Sequence, residues 1–241
     1  EIVYPPVIGL AKVMFRVLDL KIRIDGAEHI PTTGGAVIAC NHIGYLDFIF
    51  CGYGAQPARR LVRFMAKKSV FDNRVSGPLM RGMHHIPVDR TAGLASYQQA
   101  LAALRGGEVV GVFPEATISR SFTIKEIKSG AARMAAGAGV PIVPMALWGS
   151  QRLWTKGRPR RLTHRHVPIS VLIGEPMTPS GSDDADAVTA DLRQRMSQLL
   201  DTVQRDYPDQ PSGPDDTWWL PAHLGGTAPT PEEAAALDAA R

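Results

Sequence analysis

The sequence predicts an α/β fold: a single domain in which helices flank a central mixed, mostly parallel sheet, with an amphipathic helix at the N-terminus. The first supporting observation is that short apolar runs of strand length alternate with segments of helical periodicity along most of the chain. The second is that 241 residues, 44% hydrophobic and 21% charged, suffice for one large domain with a substantial core. We assign residues 1–20 to the N-terminal helix, 21–206 to the main domain, and 207–241 to an extended arm that ends in a short helix.

The N-terminal segment VIGLAKVMFRVLDL (Val7–Leu20) has the pattern of an amphipathic helix. Pro5 and Pro6 precede it, where prolines favour a helix start. Lys12 and Arg16 are four residues apart and share one face, while most aliphatic residues lie on the other side. The pattern is typical of a membrane-associating helix in the bilayer interface, and equally of a first helix packed on the core. No stretch of the chain approaches the roughly 20 apolar residues that span a bilayer.

After this helix, strands and helices alternate, and glycine, proline or aspartate marks many of the boundaries. The predicted strands are 20–25, Ala36–Cys40, 61–66, a short strand within 82–90, then 108–113, 140–147 and 166–174. The predicted helices are one that begins near Gly44, then 92–104, 129–138 and 183–206. Because helices separate many of the strands, we expect a largely parallel or mixed sheet.

The C-terminal arm beyond Tyr207 is rich in proline, glycine and aspartate. It nevertheless contains the apolar cluster Trp218-Trp219-Leu220, so we expect the arm to be anchored to the body of the protein. The run Thr230-Pro231-Glu232-Glu233 is typical of a capped helix start and predicts a final short helix.

Charge is distributed unevenly along the chain, although its net value is only +4. Residues 1–174 contain 23 Lys and Arg against 10 Asp and Glu, whereas residues 175–241 contain 4 against 13. A positive field attracts nucleic acid, an anionic membrane or a phosphorylated substrate, but an ordinary solvated surface has the same composition. Cys40 and Cys51 form neither a disulfide framework nor a zinc-binding spacing, so we expect a reducing compartment and no metal site.

The stretch CNHIGYLDFIF (Cys40–Phe50) places Asn41, His42 and Asp47 in an otherwise apolar run. Buried polar groups require partners, so these residues either satisfy each other or form a working pair. A helix that begins near Gly44 brings the Asp47 carboxylate back towards the imidazole. If Asp47 accepts a hydrogen bond from Nδ1–H, Nε2 is left free as a base. The alternative is a polar pair that only caps the helix start.

Three further stretches follow in order: GMHHIPVDR (Gly82–Arg90), VFPEATIS (Val112–Ser119) and VPIVPM (Val140–Met145). Together with NHIGYLD they resemble the four motifs of the glycerolipid acyltransferase family, whose bacterial representative is 1-acyl-sn-glycerol-3-phosphate acyltransferase, or lysophosphatidic acid acyltransferase. The resemblance covers about residues 20–172, and it makes residues 21–206 an acyltransferase domain.

The resemblance implies roles for individual residues. The family's catalytic dyad falls on His42 and Asp47. The acceptor- and phosphate-binding residues that it implies are Lys67 (or its neighbour Lys68), Arg90, Glu115, Thr117 and Arg120. No position is implied as a metal ligand.

The third motif departs from the family pattern at two positions. Ala116 stands where glycine is usual, and because alanine tolerates a positive φ poorly, we expect the turn to differ in shape. Ile118 stands where a phosphate-binding arginine is usual, which removes a bidentate partner. We expect Arg120, or Lys125 and Lys128, to compensate.

The implied activity is transfer of a fatty acyl group from acyl-CoA to a hydroxyl of 1-acylglycerol-3-phosphate, which gives phosphatidic acid in phospholipid biosynthesis. His42 is the expected general base, oriented by Asp47, and backbone amides near the helix start are expected to stabilise the oxyanion. Acyl-CoA is a co-substrate, and no cofactor is expected.

Three alternatives stay open: another acceptor (glycerol-3-phosphate or a glycolipid), a hydrolase that uses Ser119 or Ser150, and a non-catalytic anionic-lipid-binding protein. Neither serine lies in a G-x-S-x-G elbow.

The segment Trp148–His166 carries six Lys and Arg near Trp148 and Trp154. Such a segment suits an anionic membrane surface, the phosphates of CoA, nucleic acid or a solvated loop. Because no helix-turn-helix, RRM or zinc-finger pattern is present, we expect no nucleic-acid partner. The expected partners are acyl-CoA, lysophosphatidic acid or a related glycerolipid, and an anionic membrane surface. We expect a peripheral membrane protein on the cytoplasmic face of the plasma membrane.

Overall fold

The computed structural model describes residues 2–89 and 93–240, and within them a seven-stranded sheet forms the centre of the molecule. Its strands are β1 (Lys21–Asp25), β2 (Ala36–Cys40), β3 (Val62–Lys67), β4 (Ile86–Val88), β5 (Val109–Val112), β6 (Ile142–Trp148) and β7 (Pro168–Ile173). They lie in the order β1-β7-β6-β2-β5-β3-β4. Strands β2 to β6 are mutually parallel, β7 is antiparallel to β6, and β1 runs parallel to β7. The predicted α/β fold with a mixed, mostly parallel sheet is confirmed.

Helices connect the strands and cover both faces of the sheet. The α-helices of the described residues are α1 (Tyr4–Val17), α2 (Asp47–Gly54), α3 (Lys68–Asp72), α4 (Ser76–Gly82), α5 (Gly93–Arg105), α6 (Gly130–Ala138), α7 (Ala185–Arg205) and α8 (Pro231–Ala239). Short 3-10 helices are η1 (Ala27–His29), η2 (Ser150–Arg152), η3 (Pro214–Trp219) and η4 (Ala222–Leu224). The sequence predicts α1, α2 and α5 to α8 to within a few residues, but it does not predict α3 and α4.

Alternation along β2 explains why the sheet is covered on both faces. Val37 and Ala39 point into the core that α5, α6 and α7 complete. Ala36, Ile38 and Cys40 point into the opposite core, which α1 and α2 complete. Because helices cover both faces of the sheet, all five residues of β2 are buried. This explains why β2 is a continuous apolar run in the sequence.

Helix α1 is apolar on two sides. Phe15 packs inward against Phe50 of α2, with ring centroids 5.3 Å apart, so this side belongs to the core. Leu10, Val13 and Val17 are exposed on another side. Of the helices in residues 2–89 and 93–240, none is both long and apolar enough to cross a membrane.

The carboxyl ends of the parallel strands meet at one edge of the sheet. His42 follows β2, Lys67 ends β3, Glu115 follows β5 and Ser150 follows β6. Open α/β sheets bind their ligands at this edge, so the fold gathers the sequence motifs where a site is expected.

The basic segment 148–166 holds the C-terminal arm. The Arg152 guanidinium lies 4.5 Å from the ring centroid of Trp219, and Arg158 and Arg161 each lie 5.3 Å from that of Trp218. Both tryptophans are buried, as expected for an anchored arm. Several cations of this segment therefore make intramolecular cation–π contacts.

Trp148 belongs to the core and so does not contribute to a membrane surface, which is one of the alternatives that the sequence leaves open for the segment 148–166. Every residue of β6 is buried, and the Trp148 ring makes edge contacts with Phe122 and Tyr207, with centroids 6.0 and 6.3 Å apart. Trp154 is only partly buried and is covered by Tyr45, with ring centroids 4.6 Å apart. Periodicity in the sequence does not separate a tryptophan that ends a buried strand from one that lies in the following loop.

Candidate active site

The His42 imidazole and the Asp47 carboxylate face each other at the carboxyl edge of the sheet. Nδ1 of His42 lies 2.9 Å from Oδ2 of Asp47. Because an ionised carboxylate only accepts hydrogen bonds, Nδ1 carries the proton, and Nε2 of the neutral ring is left with its lone pair. The pair forms because the chain turns directly after β2 and α2 begins at Asp47.

Asp47 is fully buried, and its two oxygens accept four hydrogen bonds. Besides His42, Oδ2 accepts from the backbone N–H of Ile43 at 2.7 Å and of Gly44 at 2.8 Å. Oδ1 accepts from the Ser150 hydroxyl at 2.5 Å. A buried carboxylate with this many donors is fixed in orientation, and it fixes the imidazole in turn. The N–H groups of Ile43 and Gly44, two of the helix-start amides expected to stabilise an oxyanion, are therefore used to hold Asp47.

Gly44 gives the turn the space it needs. A Cβ atom at this position would lie 2.9 Å from the carbonyl oxygen of Trp154 and 3.2 Å from Oδ1 of Asp47. The first distance is too short for a backbone contact, so any larger residue would displace either the turn or the segment after β6. The glycine of NHIGYLD is thus required by close packing around the carboxylate.

Sequence reasoning missed Ser150 as a partner of Asp47. The two residues are 103 positions apart in the sequence, so no local pattern predicts their hydrogen bond. The sequence suggests Ser150 only as a candidate nucleophile. The available signal is that Ser150 lies two residues after the end of β6, whose carboxyl end lies beside that of β2. Its hydroxyl is fully buried and points at Asp47.

The His42 ring is held on one face and retains access to solvent. It stacks on Phe113 with centroids 4.4 Å apart and planes 24° apart, and its side chain is 22% exposed. Phe113 in turn stacks on Phe64, with centroids 6.0 Å apart. Within the described residues, Nε2 of His42 has no hydrogen-bond partner. An oriented imidazole with an unoccupied basic nitrogen is suited to proton transfer.

Asn41 has a structural role. Its side-chain nitrogen donates to the carbonyl oxygen of Leu147 at 3.0 Å, and its side-chain oxygen accepts from the Leu147 N–H at 2.7 Å. These two bonds continue the pairing of β2 with β6 beyond the last strand residue. The loop that carries His42 therefore starts from a fixed point.

Glu115 and Ser119 hold the backbone of His42. Oε1 of Glu115 accepts from the His42 N–H at 2.8 Å, and Oε2 accepts from the Lys125 N–H at 3.0 Å. The Ser119 N–H donates to the His42 carbonyl oxygen at 2.7 Å. Glu115 is buried, and burial raises its pKa to about 7, although the backbone N–H groups of Lys125 and His42 act in the opposite direction. The residue predicted to hold the acceptor thus positions the loop of the base in this structure.

We expect Glu115→Gln to remove a pH dependence of stability. The raised pKa means that folded Glu115 keeps its proton up to about pH 7, whereas the unfolded chain releases it near 4.5. Between these values the unfolded state binds fewer protons, so this group lowers the free energy of unfolding as pH rises, by about 3 kcal/mol in total. The measurement is urea unfolding at several pH values. Between about pH 4.5 and 7.5, the free energy of unfolding of wild type should fall by about 3 kcal/mol relative to that of the variant. A difference that is constant with pH would contradict the assignment.

The third motif accommodates its two unusual residues in different ways. Ala116 has a φ of +60°, the left-handed conformation that glycine favours. The turn is therefore left-handed despite the alanine, at a strain of roughly 1–2 kcal/mol. The Ile118 side chain is buried, so this position presents no group to a ligand.

Three cations converge beside this motif. Lys125 donates to the Thr117 hydroxyl, and its Nζ lies 3.6 Å from Oδ2 of Asp238 in α8. Arg120 and Lys156 both bind Oδ1 of Asp238, at 3.0 and 2.5 Å. The structure thus brings Thr117, Arg120 and Lys125 together, and it adds Lys156 and Asp238, which sequence reasoning missed.

The remaining predicted phosphate ligands lie elsewhere or outside the described residues. Lys67 is exposed at the end of β3, and Lys68 forms an ion pair with Asp89, with Nζ 3.7 Å from Oδ2. Arg90 lies outside the described residues. Lys128 is exposed.

The serines that a hydrolase would need do not face the imidazole. Ser119 is buried and donates to the carbonyl oxygen of Thr123 at 2.7 Å, while Ser150 donates to Asp47. In the described residues, no serine hydroxyl forms a hydrogen bond with His42. The geometry lacks the serine–histidine contact from which a protein nucleophile is activated.

Known proteins match this chain in sequence. A family model described as Acyltransferase matches residues 21–148. The 1-acyl-sn-glycerol-3-phosphate acyltransferase of Bacillus subtilis (strain 168) is 31% identical over 188 residues, which cover 74% of this chain and 87% of that protein. The chloroplastic 1-acyl-sn-glycerol-3-phosphate acyltransferase LPAT1 of Arabidopsis thaliana is 28% identical over 185 residues, which cover 75% of this chain and 49% of the plant protein. The chain thus spans about half the length of the plant relative.

A solved structure matches the fold. The crystal structure of the 1-acyl-sn-glycerophosphate (LPA) acyltransferase, PlsC, from Thermotoga maritima is similar with a TM-score of 0.72 at 21% identity, over 85% of this chain and 81% of that chain. At this identity the likeness shows the fold alone. The family model, however, matches more than half of the sequence, and the chain covers most of its Bacillus relative. The chain therefore belongs to the glycerolipid acyltransferase family that its four sequence motifs predict.

Proposed function

We propose that this acyltransferase moves a fatty acyl group from acyl-CoA to a hydroxyl of 1-acylglycerol-3-phosphate and so forms phosphatidic acid. The single observation that carries the proposal is the His42 imidazole, whose Nδ1–H is held by Asp47 while Nε2 is unoccupied. The names of the Bacillus and Arabidopsis relatives support the choice of acceptor. The three cations beside Thr117 support an acceptor that carries a phosphate group.

The proposed chemistry needs only one proton carrier. The acceptor hydroxyl oxygen attacks the thioester carbonyl carbon while Nε2 of His42 takes the hydroxyl proton. The tetrahedral intermediate then collapses, the carbon–sulfur bond breaks, and the imidazolium returns the proton to the departing thiolate of CoA. Asp47 stabilises the imidazolium between the two transfers. A thioester is already activated, so the reaction needs no covalent enzyme intermediate.

The acceptor phosphate requires cations near this base. Arg120 and Lys125 lie on the same loop as Glu115, which holds the His42 backbone. Lys67 is the last residue of β3, which pairs with β5, and it lies at the same edge of the sheet. Buried Ile118 occupies the position where the family usually has a phosphate-binding arginine. We propose that Arg120, Lys125, Lys67 and Arg90 bind the acceptor phosphate instead of that arginine.

The outward side of α1 supports a place on an anionic membrane surface, which we propose is the cytoplasmic face of the plasma membrane. Leu10, Val13 and Val17 are exposed next to the exposed cations Lys12 and Arg16. Helix α4 contacts the start of α1, and two more aliphatic side chains are exposed here, Val75 directly before α4 and Leu79 within it. A lipid acceptor has to be taken from a bilayer, so membrane contact and acyl transfer fit together.

We expect the double variant Val13→Glu/Val17→Glu to bind vesicles that contain phosphatidylglycerol at least about tenfold more weakly than wild type. Two exposed side chains that enter the lipid contribute about 1.5 kcal/mol each, and two added carboxylates are repelled by anionic headgroups. Both positions face solvent, so folding is preserved. The measurement is cosedimentation with vesicles. The matched control is Leu94→Glu, an exposed position on α5 at the other face of the sheet; equal weakening in both proteins would contradict the assignment.

The experiment that tests the function is transfer of labelled acyl groups to a panel of acceptors. The donors are acyl-CoA and the acyl thioester of an acyl carrier protein. The acceptors are 1-acylglycerol-3-phosphate, glycerol-3-phosphate, a glycolipid and water alone. We expect phosphatidic acid from acyl-CoA and 1-acylglycerol-3-phosphate as the main product. A preference for another acceptor would overturn the proposed acceptor, and a preference for the carrier-protein thioester would overturn the proposed donor. Transfer mainly to water would show that the protein is a hydrolase.

A further inference from the structure

The C-terminal helix α8 ends against the cations beside the third motif. The Asp238 carboxylate binds Arg120, Lys125 and Lys156 at once, at 3.0, 3.6 and 2.5 Å. The three cationic side chains are only 11%, 24% and 16% exposed. Partly buried cations that converge on one point form a site for an anion, and a carboxylate of the same chain fills this one.

The cluster lies close to the candidate active site. The Lys125 N–H donates to Glu115, whose other oxygen accepts from the backbone of His42. The Lys125 side chain bridges Thr117 and Asp238. Two residues, Lys125 and Glu115, therefore link Asp238 to the proposed base.

One carboxylate does not balance this cluster. Within the described residues, the ion pairs of these three cations involve one carboxylate, that of Asp238, and this ion-paired group has a balance of two positive charges. Two positive charges complement a phosphate monoester dianion at neutral pH. Partial burial by itself would raise the pKa of Asp238, but hydrogen bonds from Lys156 and Arg120 lower it below its ordinary value. Asp238 is thus an anion that the cations hold strongly. Its single negative charge is less than the positive charge of the three cations that bind it.

In the part of the chain that the structure describes, few side chains besides Asp238 attach α8 to the domain. Ala234 and Asp238 are four residues apart and turn inward, and the other residues of α8 are exposed. The capping box of Thr230 and Glu233 stabilises the helix itself but does not attach it to the domain. Attachment therefore depends mainly on ion pairs, which salt and competing anions weaken.

We infer that Arg120, Lys125 and Lys156 form a binding site for a phosphate monoester, and that Asp238 occupies it as an internal competitor. Helix α8 would then restrain the site until a phosphate-bearing ligand displaces the carboxylate. The phosphate belongs either to the headgroup of the acceptor or to the 3′-phosphate of CoA. Only the identity of the ligand rests on the proposed function; the competition itself follows from the contacts of Asp238.

The test of the competition does not use turnover. Binding of inorganic phosphate is measured calorimetrically for wild type, Asp238→Asn and the double variant Asp238→Asn/Lys156→Met. An internal competitor lowers apparent affinity by the fraction of sites that it leaves free, so we expect Asp238→Asn to bind phosphate at least about fivefold more tightly. The double variant should lose most of this gain. Asp191→Asn is the matched control, because it removes a carboxylate that pairs with Arg195 on the exposed face of α7, and it should bind phosphate as wild type does.

Affinity that is equal or weaker in Asp238→Asn would overturn the inference, and so would a gain that survives loss of Lys156. Steady-state kinetics then separate the two phosphate sources. A lower KM for 1-acylglycerol-3-phosphate alone assigns the acceptor headgroup, and a lower KM for acyl-CoA alone assigns the 3′-phosphate. Tighter phosphate binding with both KM values unchanged would overturn the part that concerns substrates. Absence of acyl transfer would refute the proposed function and leave the calorimetric result standing.

Discussion

His42→Ala is expected to lower kcat for acyl transfer by about 10²- to 10⁴-fold, the range that a positioned general base contributes. In wild type the ring is fixed by the 2.9 Å bond to Asp47 and by stacking on Phe113. Alanine removes the atom that accepts the hydroxyl proton and leaves no titratable group in its place. The ring is partly exposed, and Asp47 retains three donors, so the free energy of unfolding should fall by only about 1 kcal/mol.

The measurement combines initial rates with urea unfolding of the same preparations. His223→Ala is the matched control, because His223 is exposed in η4 and belongs to the C-terminal arm. The control should keep the wild-type rate. A His42→Ala enzyme with full turnover would show that the proton is taken by another group, and the mechanism proposed above would be wrong.

Asp47→Ala is expected to abolish measurable activity and to lower the free energy of unfolding by about 3–5 kcal/mol. The substitution leaves the N–H groups of Ile43 and Gly44, together with Nδ1–H of His42, without an acceptor. Ile43 and Gly44 are buried, and each unsatisfied buried donor costs about 1–3 kcal/mol. The imidazole also loses the partner that fixes its orientation and tautomer.

Asp47→Asn separates geometry from charge. The asparagine oxygen is able to accept from the three N–H groups, and its NH₂ group is then able to donate to the Ser150 hydroxyl, which reverses the bond seen in wild type. We therefore expect most of the stability to return, while kcat stays about 10²- to 10³-fold below wild type because no negative charge stabilises the imidazolium. An Asp47→Asn enzyme as active as wild type would contradict the role of the charge. An Asp47→Ala protein as stable as wild type would contradict the hydrogen-bond network.

The sheet was largely predictable because its strands are apolar runs that end at turn residues. The run AVIAC matches β2 residue by residue, and the amphipathic pattern of 183–206 gives α7. Helices α3 and α4 were not predictable, because Lys68–Asp72 and Ser76–Gly82 are short and carry no periodic apolar face. Tertiary contacts fix them instead: a Cβ at Gly77 would lie 2.2 Å from the carbonyl oxygen of Phe71, so the two helices pack at backbone distance.

Parts of the candidate site separated by few residues were predictable, and parts brought together by the fold were not. His42 and Asp47 lie five residues apart, so a single turn is enough to pair them. Ser150 reaches Asp47 only through the adjacency of β2 and β6, and Asp238 reaches Arg120 across 118 residues. No local pattern encodes such contacts. For the same reason Glu115 was expected to touch a ligand, whereas its oxygens bind the backbone of two separate segments.

The separation between the groups that hold the base and those that attract an anion has an evolutionary consequence. The imidazole depends on residues 42–47, Phe113, Glu115 and Ser150, whereas the cation cluster depends on residues 120, 125 and 156. Mutations in the second group can accumulate without disturbing proton transfer. The anion preference of the proposed phosphate site is therefore able to change through substitutions at these three positions while the proposed base keeps its hydrogen bonds.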